Sequence, residues 1–150
     1  MTEGVYFRNL NGNEARELLE LTENMGATTN LEQSVSCIGV PTCQVGICNS
    51  QGMLNSIMDY FKDREYKSDV LPRVYISGCG NSCGVHQIGS IGFTGKKKRV
   101  GEKIEECFTM FAGGSFGVGK TNLGNSYGDI PGNKICLLYT SPSPRDVEES

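Results

Sequence analysis

RVYISGCGNSCGVHQIGSIGFTG, residues 73–95, runs out of one strand, through a cysteine pair and toward a second strand. RVYIS (73–77) is β-branched and aromatic, the composition of a strand, and it delivers the chain to Gly78 and Cys79. Cys79 and Cys83 then stand three residues apart, and six of the twenty residues from 76 to 95 are glycine. Thiols set where side chains have been stripped from the backbone point to something that must approach that backbone closely.

Working outward, QIGSIGFTG (87–95) and ECFTMFAGG (106–114) read as two further strands, separated by a turn at KKKRVGEK. Upstream, NSQGMLNSIMDYFKDR (49–64) has an Asn/Ser start and apolar Met53, Leu54, Ile57, Met58 and Phe61, which gives a helix with one buried face. LEQSVSC (31–37) reads as a short strand ending at Cys37, and Gly39 and Pro41 bar regular structure in the IGVPTC that follows. NGNEARELLELTENMG (11–26) spaces its leucines as an amphipathic helix, with a cap at Asn11 or Asn13 and a stop at Gly26. After that first helix the order is β-α-β-β-β. It predicts an α+β (mixed α/β) domain with a mixed sheet and with cysteines at strand ends.

The bulk properties bound the function. A chain of 150 residues has room for one domain with a real core, and 37% apolar residues is low but globular. A net charge of −3 does not point to a nucleic-acid or anionic-membrane binder. The opening MTEGVYFRNLNGNEARE lacks a signal-peptide pattern, and no apolar run approaches the roughly 18 residues of a span. A cytoplasmic location is therefore expected, where the seven cysteines stay reduced and serve metal binding or catalysis rather than a disulfide framework. Residues 136–150, from CLLYTSPSPRD onward, back-translate onto a transposase-type sequencing-library adapter and are set apart from the fold.

Four of the remaining cysteines fall into two local pairs, Cys37/Cys43 and Cys79/Cys83. An iron-sulfur cubane needs one thiolate per iron, and two short-spaced pairs brought together by a fold supply four at little loop-closure cost. Glycine and proline beside the ligands let backbone N–H groups approach cluster sulfides, where such bonds help set the reduction potential. Structural zinc favours two to four residues between ligands, so the five between Cys37 and Cys43 argue against it. A redox dithiol is more often C-x-x-C, which is absent. Cys48 and Cys107 read as buried and unligated.

Taken together, SCIGVPTCQVG (36–46), ISGCGNSCGVHQIGSIGFTG (76–95) and the trailing FTMFAGGSFGVGK (108–120) to GDIPG (128–132) resemble the siroheme and 4Fe-4S domain of the nitrite/sulfite reductase family. The resemblance covers residues 31–135, with 1–30 as a one-helix remnant of a preceding segment and 136–150 as a tail. It implies that Cys37, Cys43, Cys79 and Cys83 hold a 4Fe-4S cluster, with Cys83 bridging to siroheme iron. It implies six-electron reduction of sulfite to sulfide or nitrite to ammonia, fed by a donor such as ferredoxin or a reductase subunit. Family members resemble two related halves, so a C-terminal fragment, inactive by itself, is expected. No catalytic acid or substrate ligand can be assigned. The alternative is a cluster-only electron-transfer or binding module without siroheme.

Four further features have two readings each. Asn81 turns its amide to the cofactors or serves as a left-handed turn residue. His86, the only histidine, is a polar residue at a helix end rather than an axial ligand. GSFGVGKT (114–121) matches a Walker A pattern, but NLGNSYGDIPG cannot supply the helix a phosphate loop needs. By the resemblance Lys120 contacts siroheme carboxylates instead. KKKR (96–99) is a solvated turn or a dock for an acidic donor.

Overall fold

A computed structural model describes residues 5–27, 29–62 and 70–135. The adapter-like segment 136–150 lies outside the described residues.

Five strands form one sheet in chain order: β1 (Val35–Ser36), β2 (Val74–Ser77), β3 (Ile91–Val100), β4 (Lys103–Ala112) and β5 (Asn125–Pro131). The first three run parallel, β3 to β5 antiparallel. The architecture is the mixed α+β sheet expected from the sequence. Helix α2 (Ser50–Lys62) crosses between β1 and β2, as a parallel pair requires. It buries Ser50, Met53, Ile57 and Phe61, one stripe at helical spacing. That stripe packs with Leu31, Val74, Ile76, Phe93, Phe108, Met110 and Ile135 into the core. The connection from β2 to β3 has no helix. It is the cysteine-bearing segment 78–90, in turns.

Helix α1 (Gly12–Leu21) begins with a capping box. The Asn11 side chain accepts from the N–H groups of Asn13 and Glu14, both at 3.0 Å, and Glu14 Oε2 accepts from Asn11 N–H at 2.8 Å. The helix ends at Leu21, short of Gly26, and none of its residues is buried; Leu19 and Leu21 are exposed.

Three strand readings need correction. Residues 31–34 are turns rather than strand: Ser34 N–H donates to Leu31 C=O, and only Val35 and Ser36 pair with β2. QIGS (87–90) belongs to the turns above the sheet, so β3 starts at Ile91. KKKR is not a turn. It lies within β3, with Lys97 opposite Glu106 and Lys98 opposite Glu105, and the reversal falls at Gly101, whose φ is 64°. The two-stranded ribbon runs past the core there, so both faces accept charged residues.

Candidate metal centre

The two cysteine loops leave the carboxyl ends of adjacent parallel strands. Cys37 follows β1 directly and its N–H donates to Ile76 C=O of β2 at 2.9 Å. Cys79 follows β2 by two residues. The loop from Cys37 to Cys48 folds back over Gly78, whose C=O accepts from the N–H groups of both Ile47 (3.3 Å) and Cys48 (2.9 Å). A Cβ on Gly78 would lie 2.7 Å from Cys48 O and 3.3 Å from Gly39 Cα. The loops thus touch backbone to backbone, and a side chain at Gly78 would push them apart. Gly39, at φ 55°, fits the same seam, since a Cβ there would meet Ser50 Oγ at 2.3 Å.

Within the second loop, Gly84 crosses over β2. Its N–H donates to Ser77 Oγ at 3.1 Å, and a Cβ would lie 2.0 Å from Ile76 O. Thr94 Oγ1 donates to Cys79 C=O at 3.0 Å, which ties the loop to β3. Cys37 and Cys79 are buried, Cys43 half-buried and Cys83 exposed. The Gly78 N–H donates to Cys37 Sγ at 3.0 Å. Among the described residues, no three His, Cys, Asp or Glu side chains converge as they would round one metal ion. An all-sulfur donor set on two abutting loops, with a backbone N–H already on one sulfur, fits a thiolate-ligated cluster in chemistry, although the four sulfurs do not close round a point.

Cys48 and Cys107 are different. Cys48 is fully buried, with its thiol donating to Lys96 C=O at 3.3 Å. Burial, reinforced by Glu106, pushes it up to about 11, so it stays protonated at neutral pH. Burial also pushes the Cys107 thiol up. Both behave as small apolar residues, as their isolation in the sequence suggested.

The remaining candidates spread out. Asn81 is exposed, and the left-handed conformation belongs to its neighbour Ser82 (φ 59°), so it is not the turn-former. Lys120 is exposed on a hairpin closed by two backbone hydrogen bonds of 3.0 Å between Ser115 and Asn122. No helix follows Thr121, whose hydroxyl instead donates to Gly117 C=O, so the phosphate-loop pattern lacks its structural context. His86 sits in a turn, not at a helix end; it is 2% exposed, with Nδ1 2.9 Å from Ser77 Oγ and its ring 5.0 Å from that of Phe111. Burial lowers its pKa. Ser77 and Ser50 were not singled out by sequence. Their only signal was position, directly before a cysteine loop and at a helix start.

No protein-family model matches the chain. It is 25% identical over 103 residues to the sulfite reductase (NADPH) hemoprotein beta-component of Bacillus subtilis, covering 63% of this chain and 18% of that one. It is 31% identical over 85 residues to the ferredoxin–nitrite reductase of Leptolyngbya laminosa, covering 55% and 16%. Its fold matches the structure of Mycobacterium tuberculosis NirA protein with a TM-score of 0.64 at 21% identity, over 84% of this chain and 25% of that one. Over this region the chain is similar to sulfite and nitrite reductases. It spans about a fifth of the length of the curated relatives it matches.

Proposed function

We infer that residues 31–135 form the cluster-holding part of a siroheme-dependent sulfite or nitrite reductase. Cys37, Cys43, Cys79 and Cys83 would hold a 4Fe-4S cluster, with Cys83 shared with siroheme iron. The observation that carries this reading is the seam at Gly78, where the two cysteine loops abut at the ends of adjacent strands and a backbone N–H meets Cys37 Sγ. The names of the relatives support it, one a hemoprotein component and one a ferredoxin-dependent enzyme. Such a cluster supplies electrons one at a time to a six-electron reduction of sulfite or nitrite.

The chain's own residues have definable parts in this reading. Ser77, Gly84 and Thr94 fix the loop that carries Cys79 and Cys83. Cys83, exposed where its pair partner is buried, is the sulfur free to meet a second cofactor outside the loop. Lys120, exposed on its hairpin, is available to a macrocycle carboxylate, and Asn81 is exposed on the second cysteine loop. A donor such as ferredoxin or a reductase subunit, and a cytoplasmic setting, follow from the reading. Among the described residues no helix is long and apolar enough to cross a membrane. In this reading residues 31–135 are the reductase domain, and 136–150 are an adapter-derived tail.

Anaerobic reconstitution tests the assignment. The chain should take up about four irons and four sulfides, the cubane stoichiometry. Serine at 37, 43, 79 or 83 should cut the iron, while serine at 48 or 107 should leave it intact. Stoichiometric zinc in place of iron, under ample iron and sulfide, would overturn the reading.

A further inference from the structure

Ser50, the first residue of α2, is fully buried although polar. Its hydroxyl donates to Cys37 C=O at 2.8 Å, and its Oγ lies 3.2 Å from Cys37 Sγ. Two glycines make room for it: a Cβ on Gly39 would fall 2.3 Å from Ser50 Oγ, and one on Gly78 3.4 Å from it. Gly78 N–H donates to the same sulfur at 3.0 Å. Cys37 Sγ is therefore flanked by a backbone donor and a hydroxyl inside the protein, where hydrogen bonds to charged groups are strongest.

The hydroxyl has one proton and two acceptors in reach. While Cys37 is a thiol, its S–H donates to Ser50 Oγ and the hydroxyl proton goes to the Cys37 carbonyl. Once the sulfur is a metal-bound thiolate, its own proton is gone, and the sulfur becomes the more strongly negative of the two acceptors. The hydroxyl proton then turns toward Sγ, with no movement of heavy atoms beyond hydrogen-bond reach.

We propose that Ser50 is a positioning residue that tunes the cluster through Cys37, donating its hydroxyl hydrogen bond to the ligand sulfur alongside Gly78 N–H. The assignment rests on the cluster reading above and names the one side chain that acts on a single ligand. Reduction adds negative charge to the cluster and its sulfurs, so each donor stabilises the reduced form and raises the midpoint potential. The Cys37 sulfur accepts a backbone N–H and also lies against a buried hydroxyl.

The test is a spectroscopically monitored redox titration of the reconstituted full chain as parent, Ser50→Ala and Ser50→Thr. At a fixed applied potential, Ser50→Ala should lower the ratio of reduced to oxidised cluster by roughly threefold to tenfold. That is a midpoint about 28 to 59 mV more negative at 59 mV per tenfold. Ser50→Thr keeps the hydroxyl and should return toward the parent value. A helix start weakened without any electrostatic role would change iron retention and not the midpoint of what is retained. Equal midpoints in parent and Ser50→Ala at full iron loading would overturn the assignment and leave the cluster reading standing. Failure of the parent itself to bind iron would overturn the cluster reading, and the Ser50 assignment with it. If Ser50→Ala does not fold, Ser50→Gly and Ser50→Thr make the same comparison. A midpoint shared by those two variants overturns the proposal.

Discussion

The sheet has two ends that are held together in different ways. At the parallel end, β1 and β2 open into loops joined backbone to backbone, with Gly39, Gly78 and Gly84 where any side chain would collide. At the antiparallel end, β3 to β5 pair through regular backbone ladders whose faces are filled by side chains, with Phe93 opposite Met110 and Thr109 opposite Asp129. Cysteines follow the same division. The two candidate pairs and Cys48 sit in the loops at the parallel end, whereas Cys107 lies within β4, its carbonyl 3.9 Å from the Cys48 sulfur. The region proposed to receive an inorganic group gives up side chains for backbone donors. A region that must only cohere fills its space with side chains.

Glycine substitutions break this comparison most directly. Gly84→Ala would set a methyl 2.0 Å from the Ile76 carbonyl, a backbone atom that cannot rotate away. We expect a loss of about 3 kcal/mol or more in urea unfolding, the range of severe steric changes. Gly80, in the same loop, has nothing within 4 Å of a Cβ and no positive φ. Gly80→Ala should stay within about 0.5 kcal/mol of the parent. Equal effects at the two positions would show that the loop is not held by close approach.

How much of this could be read from the sequence follows the same line. The cysteine pairs, β2, and α2 with its stripe of Met53, Ile57 and Phe61 were legible because ligand spacing and helical periodicity are local signals. β5 was not. NSYGDIP has the Gly, Asp and Pro of a loop, and it becomes a strand because β4 offers an edge, with Gly128 at φ 117° beside the register shift at Met110/Phe111. KKKR gave a turn signal by charge alone, and its pairing partners lie up to eleven positions away. Ser50 and Ser77 were invisible for a related reason. Each acts on a residue brought close only by the folded loops, at separations of 13 and 9 positions.

His86 offers a second, smaller test, through pH. Burial lowers its folded-state pKa below the ordinary value of 6.5. A group with a depressed folded pKa contributes stability above its unfolded pKa and loses it as pH falls toward the folded value. The chain should therefore lose stability as pH falls below about 6.5, as the unfolded state takes up a proton that the buried ring resists. His86→Gln should remove that part of the slope in urea midpoints between pH 7 and 5, since the chain has no other histidine. An unchanged slope would mean that the ring is solvated in the folded protein.

At the antiparallel end the expected effect is smaller still, because the charges there remain partly in water. Asp129 accepts from Thr109 Oγ1 at 2.9 Å and pairs with Lys96 and, at 3.6 Å, Lys98. The hydrogen bond from Lys96, ahead of the one from Thr109, lowers its pKa against the opposing effect of burial. Its contribution is present above the unfolded carboxylate value near 3.9 and is lost as pH falls through the lower folded value. Both lysines are well exposed, with side chains 44% and 58% accessible, so the pairs count for little beyond the hydroxyl bond. Asp129→Asn keeps the shape and an acceptor for Thr109, and should cost about 0.5 to 1 kcal/mol at pH 7 and low salt. The cost should shrink in 1 M salt, where the screening length falls to about 3 Å. If the site instead grips its ion pairs as tightly as the glycine seam grips the loops, the loss will exceed that of a surface pair and persist in salt. Backbone approach would then no longer distinguish the two ends of the sheet.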